Sequence, residues 1–503
     1  MSVTTVPTIA PVRTSLGGTA VRGVAWLFAQ NVGTRFMVLA GQMLLARLLS
    51  PADFGVFGLA GTVVNVVSMV GDFGVQDVVL QRQRALRYWS TPAFWTSSLL
   101  GAAGLALVLL SAPLLARLYA APELPAMLAL MGVAIPLTAL ANVPCILLRA
   151  QLRFRDLAVI GAAEVVGVQV LTVAFAAANL GAYSFVLPLP IVALIRTAAL
   201  WLTTRPAIGR PRAGRVRIIL ARGSHLLGTK VITAAVSQGD YFVLGLFTSK
   251  AAVGAYYFAF RLAVQPLQLL ATSVTNVVFP VLAQMGGDRG RQRAAALAAA
   301  RVLAYVAIPC CFLQAALAAP VLRILAGHKW DAAVPIAQVL SVGLAFDAVA
   351  WIAGAVLRAR GEFFATFKYI ALCAGGFFAL VVTGAACGTN KAFAVALAVA
   401  VYYAAITPLY SVFAFRKLGS PFVEVVGIYL RPAILAAVAV AAGAAVGASA
   451  FAQPLNRIVL TLLVSGASYV LVLRLFANDA LSTIRQFVRS AAARRLAAAG
   501  AAP

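Results

Sequence analysis

From Ala46 to Gln83 the chain reads ARLLSPADFGVFGLAGTVVNVVSMVGDFGVQDVVLQRQ. A helix-breaking turn at Leu49–Asp53 opens into an apolar run as long as a bilayer-spanning helix requires, and a basic tail closes it. The run still carries Thr62, Asn65, Asp72 and Gln76, which share one helical face at spacings of three, seven and four residues. A polar stripe on a membrane helix is costly unless it faces protein or a water-filled cavity.

Apolar runs of this kind recur along the chain. We count fourteen, at roughly 21–47, 54–79, 91–118, 124–148, 156–179, 182–204, 218–248, 252–284, 296–325, 332–357, 365–387, 391–415, 431–451 and 456–476. With 63% of 503 residues hydrophobic and 11% charged, the chain stands apart from soluble domains, which run about 45–50% apolar and about 25% charged. The expected fold class is an all-α polytopic membrane protein of about 14 transmembrane helices. In a soluble chain a formal charge of +27 would point to nucleic acid. Here the bases sit in short loops between apolar runs, so they read as topology signals and nucleic acid is not expected as a partner.

The loop charges alternate. Loops after odd runs carry few bases, such as Arg47, Lys250, Lys391 and Arg457 singly. Loops after even runs carry clusters, among them Arg149, Arg153 and Arg155, then Arg289, Arg291 and Arg293. The positive-inside rule therefore predicts both termini in the cytoplasm, which requires an even number of crossings. After the last run, Leu481, Ile484, Phe487 and Val488 share a face beside Arg485, Arg489, Arg494 and Arg495. A helix lying on the anionic leaflet and a loosely ordered basic tail both fit that pattern.

Enzyme signatures are missing. Five cysteines lie in or beside apolar runs without any CxxC or Cys/His grouping, so neither a disulfide framework nor a metal site is expected. His225 and His328 stand far apart, and no nucleophile–base grouping or phosphate loop has the context it needs. No cofactor is expected, and the first twenty residues lack the apolar core of a cleaved signal peptide.

The chain also repeats itself. LLSPADFGVF (Leu48–Phe57) matches FTSKAAVGAY (Phe247–Tyr256), with Ser50 over Ser249 and Gly55 over Gly254. APLLARLY from Ala112 matches APVLRILA from Ala319, and LRAQLRF from Leu148 matches LRARGEF from Leu357. The offsets of 199, 207 and 209 stay collinear. Runs one to six thus correspond to runs seven to twelve, with the same orientation, and relate by an axis along the membrane normal. That is the parallel-repeat plan of a transporter handling its substrate between two bundles. The expected organisation is an N-terminal segment (1–20), a six-helix bundle (21–204), a basic linker (205–217), a second bundle (218–415), two extra helices (431–476) and a basic tail (477–503).

Polar stripes concentrate on the first two helices of each half. Run one aligns Asn31, Arg35 and Gln42; run seven aligns Lys230, Thr233, Ser237 and Asp240; run eight aligns Arg261, Gln265, Gln268, Thr272 and Thr275. A cleft shared by runs one, two, seven and eight is expected, with Arg35, Lys230, Arg261, Asn31 and Gln265 as substrate-binding candidates. A cation at the centre of a lipid-facing helix costs roughly 2.5–3.5 kcal/mol. Three cations with few acidic neighbours call for an anionic ligand, and a guanidinium fork suits phosphate oxygens. Pairing of Arg35 with Asp72 or Asp240 and snorkelling of Arg261 are the structural alternatives. Asp240 and Asp72 are the candidates for ion coupling. Arg196 and Arg301 read as snorkelling, while Glu164 and Asp347 fit either a proton relay or an interhelical tie.

The turn LLSPADFGVF, the DFG at Asp72–Gly74 and the passage GDYFVLGLFTSKAAVGAYYFAFRLAVQPL (Gly239–Leu267) resemble the polysaccharide transporter family of oligosaccharide-lipid flippases. The family's aspartate, glycines, aromatic, arginine and proline fall here on Asp240, Gly245, Gly254, Tyr256, Arg261 and Pro266. The similarity runs from about Gly23 to about Phe415; the second turn departs from it at Lys250-Ala251-Ala252. The resemblance implies two six-helix bundles with two added helices in a superfamily shared with drug antiporters and the peptidoglycan-precursor flippase. It implies a polyprenyl-pyrophosphate-linked oligosaccharide as substrate, for O-antigen, capsule or exopolysaccharide. That substrate would be moved from cytoplasmic to periplasmic leaflet of a bacterial inner membrane, by alternating access and with ion coupling. Membrane lipids and polysaccharide polymerase or assembly proteins are the implied partners. A peptidoglycan lipid-precursor flippase and a multidrug antiporter are the competing readings; an antiporter for cations would favour an acidic, aromatic-lined pocket.

Overall fold

In a hydrocarbon solvent a backbone must satisfy its own hydrogen bonds, and an isolated segment can do so only as a helix. The computed structural model describes residues 33–71, 73–80, 86–210, 213–285, 288–450 and 453–477, and no strand forms among them. The first half comprises α1 (33–48), α2 (Pro51–Gly71), α3 (Val75–Leu80), α4 (Leu86–Leu118), α5 (Leu124–Leu140), α6 (Asn142–Ala150), α7 (Phe154–Ala177), α8 (Tyr183–Val186) and α9 (Pro188–Thr204). The second comprises α10 (Ala213–Phe247), α11 (Lys250–Ala263), α12 (Gln265–Gln284), α13 (Arg289–Leu325), α14 (Ala333–Leu344), α15 (Asp347–Ala359), α16 (Phe363–Cys387), α17 (Lys391–Val401) and α18 (Thr407–Arg416). A hairpin of α19 (Phe422–Ala450) and α20 (Pro454–Phe476) follows.

Among the described residues, eleven helical stretches are long and apolar enough to cross a membrane. The expected runs one, seven and eight fall outside that set: α1 is described only over 33–48, and α10 and α11–α12 carry the polar stripes. Fourteen crossings thus remain the reading of the sequence, and eleven are what length and composition establish.

The turns gather at two ends. At one, Asp53 lies beside Gly181, Lys250 Nζ meets Glu123 at 2.6 Å, and Lys391 Nζ donates to Phe247 O at 2.9 Å. At the other, the basic end, Arg149 bonds Gln76, Arg215 bonds Tyr88 O, and Arg293 pairs with Glu424. The end opposite the basic one is tied across the halves. Trp330, fully buried, donates from Nε1 to Ala46 O at 2.8 Å, and Lys329 Nζ donates to Arg47 O and Leu49 O, each at 2.8 Å. Arg47 in return donates to the carbonyls of Leu325 and Ile324, the last turn of α13. Phe54 fills the middle, edge-on to Phe185, Phe258 and Trp330.

Just inside that end, α2 crosses α11 backbone to backbone. A Cβ on Gly55 would stand 1.8 Å from Lys250 O, and one on Gly254 would stand 1.7 Å from Pro51 O. Gly55 and Gly254 are repeat partners, as are Pro51 and Lys250, so the contact is reciprocal. It is the isologous contact of a two-fold axis, here relating two halves of one chain.

The hairpin docks on the second half. Glu424 bridges Arg293 (2.7 Å) and Arg301 (3.0 Å), and Tyr469 donates to Tyr305 O at 2.8 Å. Arg301 therefore ends in an ion pair with another helix rather than reaching alone toward the interface. Arg196 does the same with Glu164 at 2.9 Å, tying α9 to α7. For Glu164, the interhelical tie is what the structure shows.

Candidate functional site

Arg35 lies thirteen residues before the end of α1, about 20 Å along a helix at ~1.5 Å per residue. α11 stops at Ala263 and α12 restarts at Gln265 with Pro266 in its first turn, where a missing N–H does no harm. That restart aims Gln265 and Gln268, one turn apart, at Arg35 Nη1, which donates to both amide oxygens, to Gln265 at 3.2 Å. The other guanidinium N–H groups make no hydrogen bond among the described residues.

Arg261, eleven residues into α11–α12 and so at similar depth, is exposed; its guanidinium stands 5.2 Å from the ring centre of Tyr257. It stands four residues before Gln265, the residue whose amide Arg35 bonds, so the two cations come to the same region. Among the described residues neither has a carboxylate within 4.0 Å. Two guanidiniums so arranged, one oriented by neutral amides, have the chemistry that suits a multiply charged anion.

Not every candidate joins them. Asn31 and Asp72 lie outside the described residues. Lys230 lies about 26 Å from the far end of α10 at ~1.5 Å per residue, nearer the basic end than the arginines. Asp240 is buried and accepts from Tyr256 Oη at 2.6 Å and from the Tyr241 amide at 2.9 Å. It thus ties α10 to α11, with no contact to Lys230 or Arg35. On the stripe of α2 and α3, Thr62 bonds back to Gly58 O within its helix, while Gln76 joins Asn142 and Arg149 at the basic end.

The structure adds a feature the stripes did not announce. A cavity of about 500 Å³ lies wholly within the second half, among α10, α12, α15, α16 and the segment 402–410. Its wall includes Trp351, Tyr369, Tyr402, Tyr403 and Tyr410 together with Asp347. Scattered tyrosines in apolar runs read as core or interface residues, so only the fold brings them together.

The comparisons with known proteins bear on both features. A family profile described as a polysaccharide biosynthesis protein matches residues 44–335. The succinoglycan biosynthesis transport protein ExoT of Rhizobium meliloti is 30% identical over 329 residues, covering 64% of this chain and 66% of that protein, a little under two thirds. The lipopolysaccharide biosynthesis protein WzxC of Escherichia coli is 22% identical over 71% of this chain and 73% of its own. Among solved structures, the lipid II flippase MurJ in an inward closed conformation superposes with a TM-score of 0.73 at 15% identity, over 90% of this chain and 99% of that one. An inward-facing MATE-family multidrug transporter gives a TM-score of 0.63 at 13% identity, over 77% and 94%. At such identities the structural likeness speaks for the fold alone.

Proposed function

The chain belongs to the family of polysaccharide biosynthesis proteins, and on that premise we propose that it is a flippase for a lipid-linked oligosaccharide, a transporter and not an enzyme. The substrate is a polyprenyl-pyrophosphate-linked repeat unit of an exopolysaccharide, O-antigen or capsule. The chain moves it from the cytoplasmic to the periplasmic leaflet of a bacterial inner membrane, with both termini in the cytoplasm. Relatives named for succinoglycan transport and lipopolysaccharide biosynthesis support this reading.

The observation that carries the mechanism is Arg35, oriented by Gln265 four residues from Arg261, without an acidic partner among the described residues. The pair would hold the pyrophosphate between the 21–204 and 218–415 bundles while the polyprenyl tail stays in lipid. Alternating access would open the tied end only after the basic end closes over the substrate. Asp240, buried against Tyr256, is the proposed coupling group in the described chain. The same cationic pair suits the peptidoglycan lipid precursor, whose flippase shares the fold.

The test is leaflet accessibility of the sugar in proteoliposomes, using polyprenyl-pyrophosphate oligosaccharide and lipid II in parallel. We expect movement of the oligosaccharide lipid that Arg35→Ala and Arg261→Ala each reduce about tenfold or more at normal abundance, as loss of a charge-assisted contact implies. Full activity in both variants would overturn the anion site. Movement of lipid II alone would reassign the substrate, and expulsion of cationic dyes alone would make it a drug antiporter.

A further inference from the structure

We propose that the cavity of the second half binds a sugar ring, a carbohydrate subsite separate from the cationic pair; this rests on the flippase reading. Two breaks in helices adjoin this one space, the first through Asp347 just after it and the second through Tyr402, Tyr403 and Ile406 within it. The break between α14 and α15 falls at Ala345–Phe346, about 20 Å along the α14 stretch at ~1.5 Å per residue and so near mid-depth. Between α17 and α18, residues Tyr402–Ile406 form a π-helical turn. Pro408 follows it, and its missing N–H and its ring clash with the preceding turn account for the widened backbone. Interrupted helix at bilayer depth is tolerated where it lines a cavity, and π-turns concentrate at functional sites. The wider turn lets consecutive residues Tyr402 and Tyr403 both line the wall, which the 100° step of an α-helix opposes.

The wall chemistry selects the ligand. Trp351, Tyr369 and Tyr410 supply flat apolar surfaces with polar edges, the complement of a pyranose with its C–H faces and rim of hydroxyls. Asp347 accepts from Trp351 Nε1 at 3.0 Å, which fixes the indole plane and leaves the second carboxylate oxygen without a partner among the described residues. The Thr275 hydroxyl, in a side chain only 7% exposed, likewise has no partner there. The free Asp347 oxygen is placed to bond a sugar hydroxyl, and a turn of the Thr275 side chain about its Cα–Cβ bond would bring its unpartnered hydroxyl into the same space. Charge argues against a cation: Arg358 lines the cavity toward the basic end, and Lys230 sits one turn from Thr233 on the face of α10 that forms the wall. The space has one carboxylate and one guanidinium, so it suits a neutral ring, in contrast to the Arg35–Arg261 pair.

Saturation-transfer NMR on the full chain in lipid nanodiscs tests this, with methyl glycosides of glucose, galactose, mannose, rhamnose and N-acetylglucosamine, and with tetraphenylphosphonium as the cationic probe. At least one glycoside is expected to receive saturation from the wild type and from Arg35→Ala alike. Binding should fall roughly tenfold in Trp351→Ala, a loss typical of an aromatic anchor. Thr275→Val, which keeps the shape and removes the hydroxyl, should weaken it at unchanged unfolding temperature and so exclude misfolding as the cause. No glycoside signal, a signal indifferent to both variants, or Trp351-dependent binding of tetraphenylphosphonium alone would overturn the subsite. Sugar-lipid movement measured on the same preparations separates the two readings: transport without glycoside binding removes the subsite only, whereas absent transport removes the flippase.

Discussion

Arg35 is held by two neutral amides, so its charge is oriented without being neutralised. Gln265→Ala and Gln268→Ala should each slow sugar-lipid movement only a few-fold, while the double variant approaches Arg35→Ala, because either amide alone still aims the guanidinium. The Glu123–Lys250 pair across the tied end makes a prediction about pH. Burial pushes the Glu123 carboxyl up, but the hydrogen bond and charge of Lys250 outweigh it and hold the group below its usual range. A carboxylate with a lowered folded pKa stabilises above its unfolded value and loses that contribution as pH falls through the folded one. The difference in unfolding temperature between wild type and Glu123→Gln should therefore stay flat from about pH 5 to 8 and shrink only in stronger acid. Residues of this kind differ in how well sequence shows them. Arg35 and Gln265 stand out because a polar side chain in an apolar run demands a reason. The pairs Arg196–Glu164 and Arg301–Glu424 join different helices, and no spacing rule marks a partner that distant.

Helices α2 and α11 meet where neither has a side chain to withdraw. Gly55→Ala and Gly254→Ala should each destabilise by about 1–3 kcal/mol, the usual cost of overpacking, since backbone carbonyls oppose the added methyl. The double variant should cost less than the sum, because one displacement of the crossing relieves both clashes; thermal unfolding in detergent measures it. Trp330→Phe keeps an aromatic ring but strands the buried carbonyl of Ala46, at a cost of roughly 1–3 kcal/mol. Faster hydrogen exchange over residues 44–50 and 322–330 should report it. Run lengths and turn residues made the helices readable in advance, down to the repeat that pairs these glycines. The break at Ala345–Phe346 has no proline to announce it, and the π-turn is foreshadowed only by Pro408. Hence the cavity they line was invisible until the helices were assembled.

For the whole molecule, the division into halves is testable by cutting the chain within 205–212 and expressing the two pieces together. We expect them to co-purify and to restore sugar-lipid movement, and the second piece alone to accumulate poorly, because the ties at Trp330, Lys329 and Lys250 all reach into the first. Pieces that are each stable yet never associate would count against the two-bundle reading. Loop charge carries the expected orientation of the halves, while α10 and α11–α12, whose polar stripes dilute their apolar runs, are harder to read as crossings. The reciprocal glycine contact has a consequence for how the protein is made. Gly55 leaves the ribosome 199 residues before Gly254, an interval of roughly 10–40 s at ~5–20 residues per second. Throughout it the first half stands in the bilayer with a backbone notch that only its own unfinished remainder can fill. Assembly is thus a timed event within one translation, and a pause before residue 254 lengthens the period in which a wrong helix can take that place.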